Sequence, residues 1–264
     1  MGRFLGQALL ESARQLAGGL VDLFLPASCG GCGDGQVAAA GLCQRCSVRL
    51  LELVCLPYCP RCGATVGPNI PVRDDGCRGC PNTLPRFAQV IRLGPYADPL
   101  RPAVRDLKYR GRDALRRQLC MLLAEAVAAR TDPRPLDLVM PIPMHWRRRL
   151  GRPFDHARLL AATLAGALDL PLGDELVRTR HTPPQVHLAR SRRIENVRGA
   201  FGLVRPASLA GAHVLLVDDV TTTGATANEA TRTLLEGGVS AVTLTVIAKS
   251  EPPTAYADHW RTTP

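Results

Sequence analysis

Apolar runs of two lengths alternate along the C-terminal two thirds of this chain. Strands are expected near 90–93, 137–141, 175–178, 214–218 and 242–247, and the clearest, Val214 to Val217, is four apolar residues in a row. Runs of this length without polar alternation are what parallel strands buried on both faces require. The longer ones have the period of amphipathic helices, at 99–108, 113–130, 155–168 and from Ala227 to a Gly237-Gly238 stop. In the second of these, Leu115, Leu119, Leu122, Leu123, Ala126 and Val127 share one face, and Cys120 falls on that apolar side as a core residue. Strands alternating with helices predict an α/β fold, a parallel sheet of about five strands with helices on both faces, over residues 85–250.

Outside that span the pattern changes. Residues 1–25 read as an amphipathic helix, with Phe4, Leu5, Ala8, Leu9, Leu16, Leu20, Leu23 and Phe24 near one stripe. Glu11, Arg14 and Asp22 interrupt its apolar run, so it is expected to pack on the protein rather than to act as a signal sequence. No run of 18 apolar residues occurs, so no integral membrane segment is expected, and the expected location is the cytoplasm. Residues 26–84 are rich in cysteine and too poor in apolar residues to fold well without metal, and Pro85, Pro95 and Pro99 place a domain boundary at their end. From Glu251 the chain reads as a polar tail, 251–264.

The run Val214–Val217 ends at paired acids, Asp218 and Asp219, followed by Thr221, Thr222, Thr223, Gly224, Ala225 and Thr226 at the mouth of a helix. Strand, hydroxyl-and-glycine loop and helix together make an anion site. The loop offers backbone N–H groups, the helix adds its positive end, and glycine lets the backbone come close. Thr hydroxyls are further donors, and the paired carboxylates suit a sugar diol or Mg²⁺ beside a phosphate. An ordinary helix cap needs one such residue, not six. The stretch resembles the loop with which type I phosphoribosyltransferases bind 5-phosphoribosyl 1-pyrophosphate (PRPP). That resemblance implies that Asp218 and Asp219 hold ribose hydroxyls and that the loop from Thr221 to Thr226 holds the 5′-phosphate. It also assigns pyrophosphate with Mg²⁺ to the turn Pro141, Ile142, Pro143 and Met144, which ends a strand because proline cannot continue one.

The cysteine segment is a separate matter. Eight of the ten cysteines form four C-x-x-C turns, Cys29/Cys32, Cys43/Cys46, Cys59/Cys62 and Cys77/Cys80. Two such turns complete a tetrahedral zinc site, and four of them predict two structural zinc ions. Gly33 and Gly63 follow the first and third turns, so the order repeats, pairing the first turn with the second and the third with the fourth. A cross-braced pairing, redox pairs and an iron–sulfur cluster are the competing readings, with Cys55 a spare thiol.

Charge changes the picture in the middle. The net charge is +10, and residues 101–200 carry 20 Lys+Arg against 10 Asp+Glu, nearly all of it arginine. Arginine forks suit phosphate. Lys108, Arg110, Arg147, Arg148 and Arg149 form one candidate basic patch. Arg178, Arg180, Arg190, Arg192 and Arg193 sit in a polar segment, 178–201, whose composition suits a flap closing over an anionic ligand. Aromatic residues, at 4%, are too scarce to advertise a base-stacking platform.

Taken together, the cysteine turns, LKYRG at 107–111, a strand ending in PIP with an Arg cluster, TRHTPPQ from Thr179 and VLLVDDVTTTGAT from Val214 resemble the ComF family over about Leu23 to Ala248. The resemblance implies a phosphoribosyltransferase-like domain preceded by a double zinc ribbon, with a role in DNA uptake and natural transformation alongside DNA-uptake machinery. One departure is Arg152-Pro153-Phe154-Asp155-His156, where relatives carry Arg-Gly-Phe-Asn-Gln; the added charge of Asp155 argues against an anion contact there. Three functions compete: transfer of a phosphoribosyl group from Mg-PRPP, regulation by a ribose 5-phosphate ligand without chemistry, and the handling of single-stranded DNA by the arginine face.

Overall fold

The computed structural model describes residues 28–34, 37, 41–67, 72, 76–81, 85–110, 112–130, 135–144, 155–180 and 190–252. The expected helix at 3–24, the Arg147–Arg149 cluster, the flap residues 181–189 and the tail beyond 252 lie outside them.

Four parallel strands form the centre: β1 (Gln89–Pro95), β2 (Leu138–Pro141), β5 (His213–Thr221) and β6 (Ala241–Lys249), in the order β1-β6-β5-β2. Six helices are described: α1 (Gln44–Cys55), α2 (Leu100–Arg110), α3 (Asp113–Arg130), α4 (His156–Leu168), α5 (Arg190–Val197) and α6 (Ala225–Glu236). Successive residues of a strand face opposite ways, and β5 therefore feeds two cores. Leu215 and Val217 pack with Leu115 and Leu119 of α3 and Leu160 and Leu164 of α4. Val214 and Leu216 pack on the other face with Ala227, Ala230 and Leu234 of α6.

One expectation is corrected. The run at 175–178 does not join the parallel sheet. The chain touches β2 through a single bridge, Val139 to Leu172. It turns away at Gly173, where any side chain would sit within 3 Å of Leu138 and Met140. Leu176–Arg178 then becomes β3, paired antiparallel with β4 (Phe201–Leu203) as a two-stranded flap over the α6 face. Sheet membership depends on which distant segment pairs with the run, and local residue content cannot report that.

The cysteine segment is not a loose appendage. Leu50 and Leu53 of α1 belong to the same buried cluster as Ile91 and Leu93 of β1 and Leu100 of α2. Each fully buried leucine contributes about 1.5–3 kcal/mol, so the core runs across the boundary expected near residue 85.

Candidate functional site

The parallel sheet delivers the ends of β2, β5 and β6 to one edge, where open α/β sheets bind ligands. β5 runs three residues past the expected end at 218, through Asp219 to Thr221. Beyond it Gly224, at φ 75, takes a left-handed conformation that favours glycine and starts α6 with no side-chain cap. The hydroxyl of Thr223 accepts from the N–H of Ala225 at 3.3 Å. With that first amide held by Thr223, the positive end of α6 borders the cavity lined by Gly224, Ala225 and Thr226.

That cavity holds about 570 Å³ and is lined by Asp218, Asp219, Thr221, Thr222, Gly224, Ala225 and Thr226, with Ile142, Pro143 and Met144 opposite. Arg178, stacked 5.2 Å from the Phe201 ring, and Arg193 also reach it. Thr223 instead faces a neighbouring chamber, and Pro141 lines a smaller cleft behind Met144. Arg180 is exposed and turned elsewhere, donating to the carbonyls of Asn196 and Arg198 at the end of α5. Nothing is described of the side chains of Arg110, Arg190 and Arg192.

The two acids differ in their surroundings. Lys108 of α2 places its Nζ 2.8 Å from Oδ2 of Asp219. Burial alone would lower the Lys108 pKa, but the Asp219 carboxylate outweighs it and the shift is upward. Asp218 accepts the N–H of Asp219 at 2.9 Å. Burial first, and the Asp219 charge second, push its carboxyl up to about 7, against the pull of Lys108 and Arg178. The two adjacent acids therefore sit in unlike surroundings, Asp219 paired with Lys108 and Asp218 buried with its pKa raised to about 7.

Lys108 was legible only as part of a basic patch; the fold converts it into the partner of an acid 111 positions later. Tyr96, His156 and Ser250 also line the cavity and carried no signal of their own in sequence. Asp155 lies at the N-cap of α4, accepting the N–H of Arg158 at 3.2 Å. Asparagine caps a helix as well as aspartate, so the departure at this turn preserves its structural role.

The cysteines gather as the repeat predicts. Cys29, Cys32, Cys43 and Cys46 form one group and Cys59, Cys62, Cys77 and Cys80 another, all sulfurs of a group within 4.8 Å of one another. Cys29 Sγ receives N–H groups from Gly31 and Cys43 at 3.3 and 3.2 Å. Burial works to raise its thiol, yet these donors outweigh it and bring it down to about 6. Cys46, buried against the same sulfurs, is pushed up. Four sulfurs this close resist further ionisation until a cation shares the charge, and the donor set is one that zinc takes. Both groups could hold zinc. Cys55 is exposed and belongs to neither, while Cys120 is buried in the core.

Comparison with known proteins adds three findings. The family described as the phosphoribosyl transferase domain matches residues 155–262. The chain is 30% identical over 223 residues to Competence protein F of Haemophilus influenzae, covering 83% of this chain and 94% of that protein. The chain belongs to the ComF family. Another ComF relative, the DNA utilization protein YhgH of Escherichia coli, is 33% identical over 207 residues, 76% of this chain and 87% of its own. Among solved structures, the adenine phosphoribosyltransferase of Saccharomyces cerevisiae covers 56% of this chain and 76% of its own at 15% identity, with a TM-score of 0.39. The fold is a type I phosphoribosyltransferase-like parallel sheet preceded by two four-cysteine groups consistent with zinc ribbons.

Proposed function

We propose that this protein binds Mg-PRPP or a related ribose 5-phosphate ligand at the β5–α6 edge and serves DNA uptake in natural transformation. The observation that carries the ligand reading is one cavity of about 570 Å³ joining paired carboxylates to the N-terminal end of α6. Asp218 and Asp219 would accept hydrogen bonds from the ribose hydroxyls. The amides and hydroxyls of 221–226 would hold the 5′-phosphate. The Pro141–Met144 turn would flank the pyrophosphate, with Arg178 and Arg193 adding positive charge. Mg²⁺, when bound with PRPP, would neutralise the pyrophosphate and polarise it for departure. The DNA-uptake reading is supported by the names of the relatives, Competence protein F and DNA utilization protein YhgH.

Isothermal titration with PRPP, with and without Mg²⁺, tests the ligand. Binding strengthened by Mg²⁺ is expected, and no binding of PRPP or ribose 5-phosphate would refute the reading. Release of pyrophosphate from PRPP during turnover separates a phosphoribosyltransferase from a regulator. The second reading, a non-catalytic accessory protein that handles single-stranded DNA, draws on the arginine excess of residues 101–200.

A further inference from the structure

Three consecutive residues past the core of β6 join the second cysteine group to the phosphate loop. Lys249 donates from Nζ to the carbonyl of Thr222. Ser250 donates its N–H to the carbonyl of Thr221 at 2.8 Å. Glu251 accepts both the N–H of Thr65, at 2.9 Å, and the Thr65 hydroxyl. Thr65 closes the knuckle that carries Cys59 and Cys62, where Cys59 donates its N–H to Ala64 at 2.9 Å and Thr65 bridges back to Tyr58.

The Thr65 hydroxyl does two jobs. It also accepts from Nη2 of Arg92 at 2.7 Å. The Arg92 side chain is 0% exposed and that of Glu251 5%, so the hydroxyl sits between a guanidinium and a carboxylate that are both out of water. Hydrogen bonds to charged groups in such surroundings are strong and directional. Between knuckle and loop lies a chamber of about 640 Å³, with Cys62 and Gly79 on one side and Thr222, Thr223 and Gly224 on the other. Across it, the segment 249–251 spans from Thr65 to the loop.

We propose that Thr65 and Glu251 are positioning residues for the phosphate loop, carrying the order of the second cysteine knuckle into residues 221–226. A loop that binds an anion through its amides works best when those amides are held before the ligand arrives. The second ribbon then does more than stabilise the fold, because it sets how well the loop is held. By linkage, a ligand that orders the loop also tightens the knuckle. The consequence for ligand binding rests on the phosphate reading above, whereas the consequence for loop order does not.

The test uses the full zinc-loaded chain. Thr65→Val keeps the shape and removes the hydroxyl, while Thr65→Ser restores it. Amide hydrogen exchange is followed in peptides covering 221–226 and, for reference, β2, together with titration by ribose 5-phosphate. Thr65→Val is expected to speed exchange in 221–226 by roughly fivefold or more with β2 unchanged, and to weaken ribose 5-phosphate by a similar factor. Thr65→Ser should stay near the parent in both. Should Thr65→Val fail to fold, Thr65→Ala, which sets no apolar branch beside the guanidinium, is read the same way. Unchanged exchange at 221–226, or acceleration equal to that of β2, overturns the proposal. A parent that binds no ribose 5-phosphate while its loop still responds to Thr65→Val supports the positioning role and removes the phosphate reading instead.

Discussion

Asp218→Asn and Asp219→Asn should part in opposite directions, although the two acids are adjacent in sequence. Asp218 carries a carboxyl raised from 3.8 to about 7 by burial and by its neighbour's charge. At about 1.36 kcal/mol per pH unit, ionising it in the folded protein costs at most about 4 kcal/mol. Asparagine still accepts the Asp219 N–H through its oxygen, but keeps the burial cost of a polar group, so we expect a net gain of about 1–2 kcal/mol at pH 8. For a chain of this size that is a rise in Tm of about 2–8 °C. The sign follows from proton binding. The folded state holds the Asp218 proton up to about pH 7 and the unfolded state releases it near 3.8, so parent stability falls as pH rises across that window. By pH 4 the folded carboxyl is neutral and the unfolded one only about half ionised, so most of the advantage of Asn has gone. Asp219→Asn removes the partner of Lys108, whose side chain is only 24% exposed. The cost should be about 1–3 kcal/mol, between exposed and buried pairs. Thermal melts of parent and both variants at pH 4 and pH 8 decide the matter. A gain for Asp218→Asn that is equal at the two pH values, or absent at pH 8, would refute the electrostatic argument. Titration of the same variants with PRPP should show weaker binding in both, separating stability from ligand contact.

Two further outcomes are expected. Elemental analysis of protein purified without added metal should give about two zinc ions per chain. Cys43→Ser should lower zinc to about one and broaden or lower the single melting transition of the whole chain, because α1 shares its core with β1 and α2. A ribbon that melts alone, with the rest of the transition unmoved, would count against that shared core. Single-stranded DNA should bind with an affinity that falls as salt rises, each phosphate contact adding about −0.7 to the log–log slope. Replacing Arg147, Arg148 and Arg149 together by Ala should flatten the slope, and an unchanged slope would leave that cluster a solvated face.

Much of this protein is written in local pattern. An unbroken apolar run such as Val214–Val217 has one stable use, a strand covered on both faces, and β5 is that strand. The acids, threonines and Gly224 after it follow from the same stretch because strand end, loop and helix start are contiguous. The cysteine pairing was legible for a similar reason: each C-x-x-C turn is local, and the repeated glycine ordered the turns. What depends on distant neighbours was not legible. The run at 175–178 pairs instead with residues 201–203, far along the chain, as a separate two-stranded flap. Lys108 looked like one cation among many until α2 laid it against Asp219. Glu251 looked like the first residue of a polar tail, yet it is held by Thr65 from 186 positions earlier. Sequence pattern determines which residues are strand, helix, ligand knuckle and loop, because those are set by neighbours within a few bonds. Only the packed structure decides which charge meets which, because burial and opposite charge are properties of the space between elements.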